Sequence, residues 1–282
     1  LIPRRRYCFR FGSFRRSPFW AIVGQRNERA PTSPDAGRRP KAKGSSRLMS
    51  QATNPIVLYY WPTPNGWKIS IMLEECGLPY EVRLINIGRG EQFTPEFLAI
   101  APNNRIPAMV DPDGPGGKPI SIFESGAILQ YLSRKTGRFG GADERERVAI
   151  EEWLFWQVGG LGPMAGQANH FRNYAPEKIA YGVDRYTNEV NRLYGVMNKR
   201  LERHPFLAGK DYSIADIASV GWTRGWERMG QVIAEFPHLK RWLDQLLERP
   251  AVKKGLAVNA EARSNLADDK EAQKILFGQR AR

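Results

Sequence analysis

The sequence predicts a small α/β domain of order βαβ-α-ββα followed by an all-α helical domain, and three features carry that reading. Between residues 53 and 137, short apolar runs alternate with one-sided helical patterns. Glycine and proline punctuate them, with Pro107 at the entry to the third run. Beyond "TGRFGGADE" (136–144) the short runs stop, and amphipathic stretches characteristic of packed helices fill residues 143–255.

"PIVLYY" (55–60) has the length and composition of a buried strand. A Thr-Pro-Asn-Gly turn follows. Ile69, Met72, Leu73 and Cys76 then recur at i, i+3, i+4 and i+7, one helical face that Gly77 is placed to stop. "YEVRLINI" (80–87) is a second strand and residues 95–100 a short connecting helix. "PNNRIPAMVDP" (102–112) holds the third strand, "GPGG" (114–117) turns it into a fourth, "PISIFE" (119–124), and a helix is expected from Ser125 to Lys135. The amphipathic stretches of the second domain are 144–170, 176–203, 214–230 and 236–248. Within them "YSIADIA" sets Ser213 and Asp216 at the spacing of a capping box, with Asp in place of Glu or Gln, so both are assigned to folding. "WLFWQVGGLGP" (153–163) reads as a core helix broken at its glycines and proline, its tryptophans packing inward. Residues 256–282 form a polar tail of weak helical character.

Composition narrows the functions. Hydrophobic residues make up 41% of the chain, and no run approaches the roughly 18 apolar residues of a membrane span, so a soluble globular protein without a membrane partner is expected. Cys8 and Cys76 cannot make a disulfide framework and lack zinc or CxxC spacing. His170, His204 and His238 are dispersed, so no metal is expected. The net charge of +14 is unevenly spread: residues 1–48 hold 13 Lys/Arg against Glu28 and Asp35, a net of +11, whereas the other 234 residues carry 30 basic and 27 acidic side chains. The body is thus close to neutral and is not expected to bind nucleic acid. Residues 1–52 form a basic extension expected to be disordered. A nucleic-acid or membrane-surface arm, an Arg-rich transit peptide and a segment upstream of a natural start at Met49 all fit it, and the last is preferred.

The chemistry centres on "YWPTPNGWKI" (60–69), a strand turning into a helix, where a reactive group or an anion is commonly placed. This turn has no cysteine or histidine; it offers Thr63, flanked by Pro62 and Pro64, and Asn65. "FES" (123–125) puts Glu124 and Ser125 at a helix start, whose free N–H groups and partial positive charge suit a carboxylate. An ordinary N-terminal cap would use the same residues. In "NRIPAMVD", Ile106 precedes Pro107, a dipeptide equally at home on a strand edge.

The order βαβ-α-ββα with a proline leading into the third strand is the thioredoxin arrangement. With it, "PTPNGWKI", "GRGEQFTPEFLAIAPNNRIPAMVD", "SIFESGAILQYL", "WLFWQVGGLGPMAGQANHF" and "YSIADIA" make the chain resemble glutathione transferases, and among them the Nu class, glutathione-dependent disulfide-bond oxidoreductases of bacteria. The resemblance spans a thioredoxin-like domain and a helical domain; residues 1–48 have no counterpart in it and 256–282 are only loosely similar.

That resemblance implies a cis Ile106–Pro107 bond exposing the Ile106 backbone to the cysteinyl part of glutathione. It places Glu124 at the amino group and Ser125 at the carboxylate of the γ-glutamyl end, Gln92 at the glycyl carboxylate, and Arg185 at glutathione bound across a subunit interface. Read alone, Arg185 is an exposed helix arginine beside Asp184 or Glu189. Thr63 and Asn65 become the hydrogen-bonding residues at the glutathione sulfur, so that the nucleophile comes from glutathione. Cys76, on the apolar face, reads as a buried core thiol. One or two glutathione molecules, or oxidised glutathione, per site are implied, with small disulfides as substrates, a homodimer and a cytoplasmic location. Two alternatives stand beside disulfide reduction: conjugation of glutathione to electrophiles, and a non-enzymatic regulatory or nucleic-acid-binding protein using the basic extension.

Overall fold

The computed structural model describes residues 54–263 and 268–280. The expectations for residues 1–52 and for Cys8 lie outside the described residues.

Strand β1 (Ile56–Tyr60) turns Ile56, Leu58 and Tyr60 into the core. Helix α1 (Pro64–Cys76) opens at Thr63, whose Oγ1 accepts the Gly66 N–H at 3.2 Å, with Pro64 at the first helical position. It ends at Gly77, whose φ of 65° lies in the left-handed region that glycine tolerates best. Strand β2 (Tyr80–Leu84), the short helix α2 (Pro95–Leu98), strands β3 (Ala108–Asp111) and β4 (Ile120–Phe123), and helix α3 (Ser125–Thr136) complete the first domain. The sheet order is β2-β1-β3-β4; β1 pairs parallel to β2 and antiparallel to β3, and β3 pairs antiparallel to β4. Leu58 opposes Met109, and both are fully buried beneath the apolar sides of α1 and α3. Tyr59, pointing the other way along β1, packs in a separate cluster with Phe97 and Ala108. The sheet is therefore covered on both faces.

The helical domain comprises α4 (Glu144–Trp156), α5 (Gly162–Asn173), α6 (Ala180–Arg203), α7 (Ile214–Thr223), α8 (Pro237–Leu247), α9 (Pro250–Ala257) and α10 (Lys270–Phe277). The break expected at Gly159–Pro163 is milder than a chain reversal: Gln157–Leu161 form one π-helical turn between α4 and α5. Trp153 and Trp156 meet edge to face at 5.2 Å there, against the core. Helix α9 runs through residue 255, where the sequence reading ends the helical domain. It forms there because it docks on α1, whose Ser70 Oγ–H donates to the Gly255 carbonyl of α9 at 2.7 Å.

Helix α1 also departs from its expected one-sided pattern. Gly66 through Leu73 are all buried, since α3, α7 and α9 cover the sides that the sheet does not.

Ser213 and Asp216 form the reciprocal capping box of α7. Asp216 does more than cap: its carboxylate accepts from the Ser213 N–H and Oγ–H at 3.0 Å each, from the Leu207 N–H at 3.0 Å and from the Trp242 indole at 2.9 Å. Burial raises its pKa, against the pull of these four donors. It thereby ties α7 to α8 and to the loop after α6. Asp216→Ala would strand four buried donors and is expected to cost at least about 3 kcal/mol of stability in urea unfolding.

Candidate functional site

The turn between β1 and α1 borders a pocket of about 240 Å³ lined by Asn65, Asn103, Arg105, the Ile106–Pro107 pair, Phe123, Glu124 and Ser125. The Ile106–Pro107 bond is cis. The β3 ladder begins at Ala108, so the Ile106 peptide lies beyond the paired strand, on the pocket wall. Glu124 takes a φ of 69°, a conformation few non-glycine residues adopt, and its carboxylate accepts from Asn103 Nδ2 at 3.2 Å. It does not cap α3: no side chain at that position accepts a first-turn N–H. The helix therefore presents uncapped backbone donors and its positive end to the pocket at Ser125. The side-chain cap bond that the plainer reading of "FES" would use is therefore not made.

Asn65 stands across the pocket from these groups. Its Oδ1 accepts from Trp222 Nε1 at 3.1 Å. Indole N–H can only donate, which fixes the amide orientation: Oδ1 is committed to Trp222, and the Nδ2 hydrogens have no protein partner among the described residues. Thr63 lies on the other side of the turn. It caps α1 and faces a larger cleft of about 430 Å³ that also includes Trp61, Trp67, Arg224, Arg228 and Arg263. The turn thus separates a small pocket at the start of α3 from a larger cleft that carries three arginines and Glu227, with Asn65 lining the first and Thr63 the second.

Gln92 and Arg185 are not brought to the pocket wall. Gln92 is buried and donates to the Ile87 carbonyl at 3.1 Å, so it holds the backbone that lines the larger cleft; its Oε1 has no partner. Arg185 is exposed on α6 and pairs with Glu189 at 3.9 Å, the neighbour anticipated when it is read alone. Among the described residues no group of three His, Cys, Asp or Glu side chains could hold a metal ion.

Lys68, Trp222 and the three arginines escaped the sequence reading. Trp222 meets Asn65 across 157 residues, and nothing local signals such a contact. Lys68 had one usable signal, a charge inside a helix that turned out to be buried on every side. Its Nζ donates to Ser125 Oγ at 3.1 Å in a buried contact, and burial lowers its pKa to about 7 while the Glu124 carboxylate opposes the fall.

Cys76 is free and buried, with its sulfur 3.6 Å from Thr136 Oγ1; burial pushes its thiol pKa up. The thiolate is the reactive form, so this sulfur is poorly suited to nucleophilic work. In a Cys8→Ser protein, Ellman's reagent should label Cys76 at least about 100-fold more slowly in the native state than in denaturant; comparable rates would contradict its burial.

A thioredoxin-like sheet with a cis-proline, joined to a helical domain, defines a class of proteins. Family models give the class its name: residues 63–135 match the N-terminal domain of glutathione S-transferases and residues 167–250 the C-terminal domain. The chain is 52% identical over 202 residues to the disulfide-bond oxidoreductase YfcG of Escherichia coli (strain K12), spanning 71% of this chain and 94% of that one. It belongs to the glutathione transferase family. Among solved structures it is similar to a glutathione transferase from Burkholderia graminis with two glutathione molecules bound per subunit (45% identity, TM-score 0.70, 73% of this chain and 88% of that one). A second, from Pseudomonas putida with one glutathione disulfide bound per subunit, shows 41% identity and a TM-score of 0.70 over 76% of this chain and 95% of that one.

Proposed function

We propose that this chain is a glutathione-dependent disulfide-bond oxidoreductase that reduces small disulfides with thiols it does not itself own. The observation that carries the reading is the thiol-free turn: Asn65 offers unpaired amide donors where a thioredoxin-type protein would place a cysteine. The relationship to YfcG and the bound glutathione of the solved relatives support it.

The residues of the pocket fit glutathione as a substrate. Ser125 and the uncapped start of α3 suit its γ-glutamyl carboxylate, Glu124 its ammonium group, the Ile106 backbone its cysteinyl peptide, and Asn65 Nδ2 its sulfur. Two glutathione thiols supply the two electrons that cleave one disulfide, giving two thiols and oxidised glutathione. Arg224, Arg228 and Arg263 give the larger cleft the charge to hold the carboxylates of a second glutathione beside the first. Gln92 shapes that cleft through Ile87, and the proposed contact to the glycyl carboxylate would need its Nε2 donor, one hydrogen of which goes to the Ile87 carbonyl.

Stabilising a thiolate is too small an effect to be the whole mechanism. Moving a thiol pKa from about 8.5 to about 6.5 raises the thiolate fraction at pH 7 from roughly 3% to roughly 75%. The weaker base loses about eightfold in nucleophilicity, leaving a gain of about threefold. Alignment must supply the rest, since holding two sulfurs in line can be worth effective molarities far above any free thiol. Pro62 and Pro64 restrict the turn that carries Thr63 and Asn65, which suits that task.

The same reading extends to a cytoplasmic homodimer of the Nu class. Phe123 on β4 and Val148 and Phe155 on α4 are 38%, 46% and 61% exposed, an apolar surface that a second subunit would cover. Arg185 would then act on the partner's glutathione. Phe155→Glu is expected to shift the sedimentation equilibrium towards monomer; a wild-type protein that is monomeric at tens of micromolar would remove this part of the proposal.

On activity, reduction of 2-hydroxyethyl disulfide should exceed conjugation of a chlorodinitrobenzene by about tenfold or more, a difference of about 1.4 kcal/mol in barrier. Dominant conjugation would instead identify a conjugating transferase. Asn65→Ala and Thr63→Ala should lower kcat by tenfold or more while glutathione affinity, measured by calorimetry, changes less than threefold. Parallel loss of both would contradict a role at the sulfur.

A further inference from the structure

Lys68 sits behind the pocket wall with 2% of its surface exposed. Its ammonium has three donors, of which one goes to Ser125 Oγ at 3.1 Å, and it makes no ion pair among the described residues. A buried cation without an ion pair is costly, the Glu124 charge offsetting only part of its burial, unless a ligand brings a counter-ion. The uncapped start of α3, in front of Ser125, is where an anion would be held.

The contact between Lys68 and Ser125 has two polarities. While Nζ carries three protons it has no lone pair, so Ser125 Oγ must accept and its own proton is free to point into the pocket. Once Nζ loses a proton, its lone pair can take the Ser125 proton, and Oγ then turns a lone pair towards the pocket. The first state receives a carboxylate; the second repels it.

We propose that Lys68 is a positioning residue that makes Ser125 a hydrogen-bond donor to the γ-glutamyl carboxylate, so that glutathione binding is coupled to the uptake of one proton by Lys68. This rests on the placement of glutathione given above. Burial holds the free Lys68 at about 7, and the bound carboxylate would raise it. Affinity therefore falls as pH rises through the free value, by up to tenfold per pH unit. Other ionisable groups around α1 do not compete for the role. Glu124 is the one that acts on Lys68, and it opposes deprotonation. Glu75 is held by Arg249, Glu74 accepts from Tyr80, and Asp216 is enclosed by its four donors. Tyr60 is held un-ionised, its pKa pushed up to about 12 by burial, while Lys253 and Lys254 on α9 are exposed.

The test is calorimetric titration of the full chain with S-methylglutathione, whose capped sulfur removes the thiol's own titration. It is run at pH 6, 7 and 8 in two buffers of different ionisation enthalpy. For the wild type we expect affinity to fall about tenfold from pH 6 to pH 8, with close to one proton taken up at pH 8. Lys68→Met should bind at least tenfold more weakly at pH 6, vary less than threefold across the range and take up no proton. Its ligand-free Tm at pH 6 should rise, because a buried charge has been removed, where loss of a merely structural lysine would lower it. Wild-type binding with neither pH dependence nor proton uptake overturns the coupling and leaves the glutathione site standing. Failure of the wild type to bind S-methylglutathione at any of these pH values overturns both. The decisive readings come from the wild type, so they do not depend on how the variant folds.

Discussion

Helix α9 approaches α1 so closely that a β-carbon at Gly255 would lie 2.6 Å from both the nitrogen and the Cα of Ile71. That contact sets the frame of the molecule. Ser70 seals it with a buried hydrogen bond, and Arg249 grips Glu75 through two bonds of 2.7 and 2.8 Å while stacking 4.1 Å over the Tyr212 ring. With α3 and α7 on its other sides, α1 has no freedom to shift. Thr63 caps this helix, Asn65 and Lys68 lie on it, and Trp222 reaches Asn65 from α7. The second domain therefore acts on the site chiefly by immobilising one helix of the first.

Charge is organised on a smaller scale than the net value suggests. The body is nearly neutral, yet the two clefts beside the turn gather positive charge by different means. One uses backbone dipoles, a serine and a buried lysine. The other uses guanidinium groups, two of which lie 4.8 and 5.4 Å from the Trp67 ring centroid. Burial and the neighbouring Arg263 lower the pKa of Arg224, a sign that these two cations are crowded together. A ligand carboxylate would relieve that crowding.

The order of strands and helices was legible because it depends on local periodicity and on punctuation by glycine and proline. "PTPNG", "FES" and "RIP" were legible as a turn, a helix start and a strand entry, whereas the cis bond at Ile106–Pro107 was anticipated only through the family resemblance. Their assembly around one pocket follows from the β2-β1-β3-β4 topology, which carries residues 65, 106 and 124 to the same sheet end. Lys68 and Trp222 were illegible for one reason: their roles arise from partners 57 and 157 residues away. Helix α9 was blurred because its short, lysine-bearing segment has weak periodicity and gains its order from docking on α1. Gln92 and Arg185 were named from the resemblance alone; here Gln92 donates to the Ile87 carbonyl and Arg185 pairs with Glu189.

The burial of Cys76 and the absence of a thiol at the turn have a consequence for how such a protein would live in a cell. A thioredoxin-type catalyst records each reaction in its own dithiol and must be recharged before the next. Here the described residues lining the two clefts include no cysteine to be oxidised or reduced. The protein would leave each cycle chemically unmarked, so its direction and rate would follow the surrounding balance of reduced and oxidised glutathione, with no redox history of its own. It would behave as a conduit for that balance and could not serve as its memory.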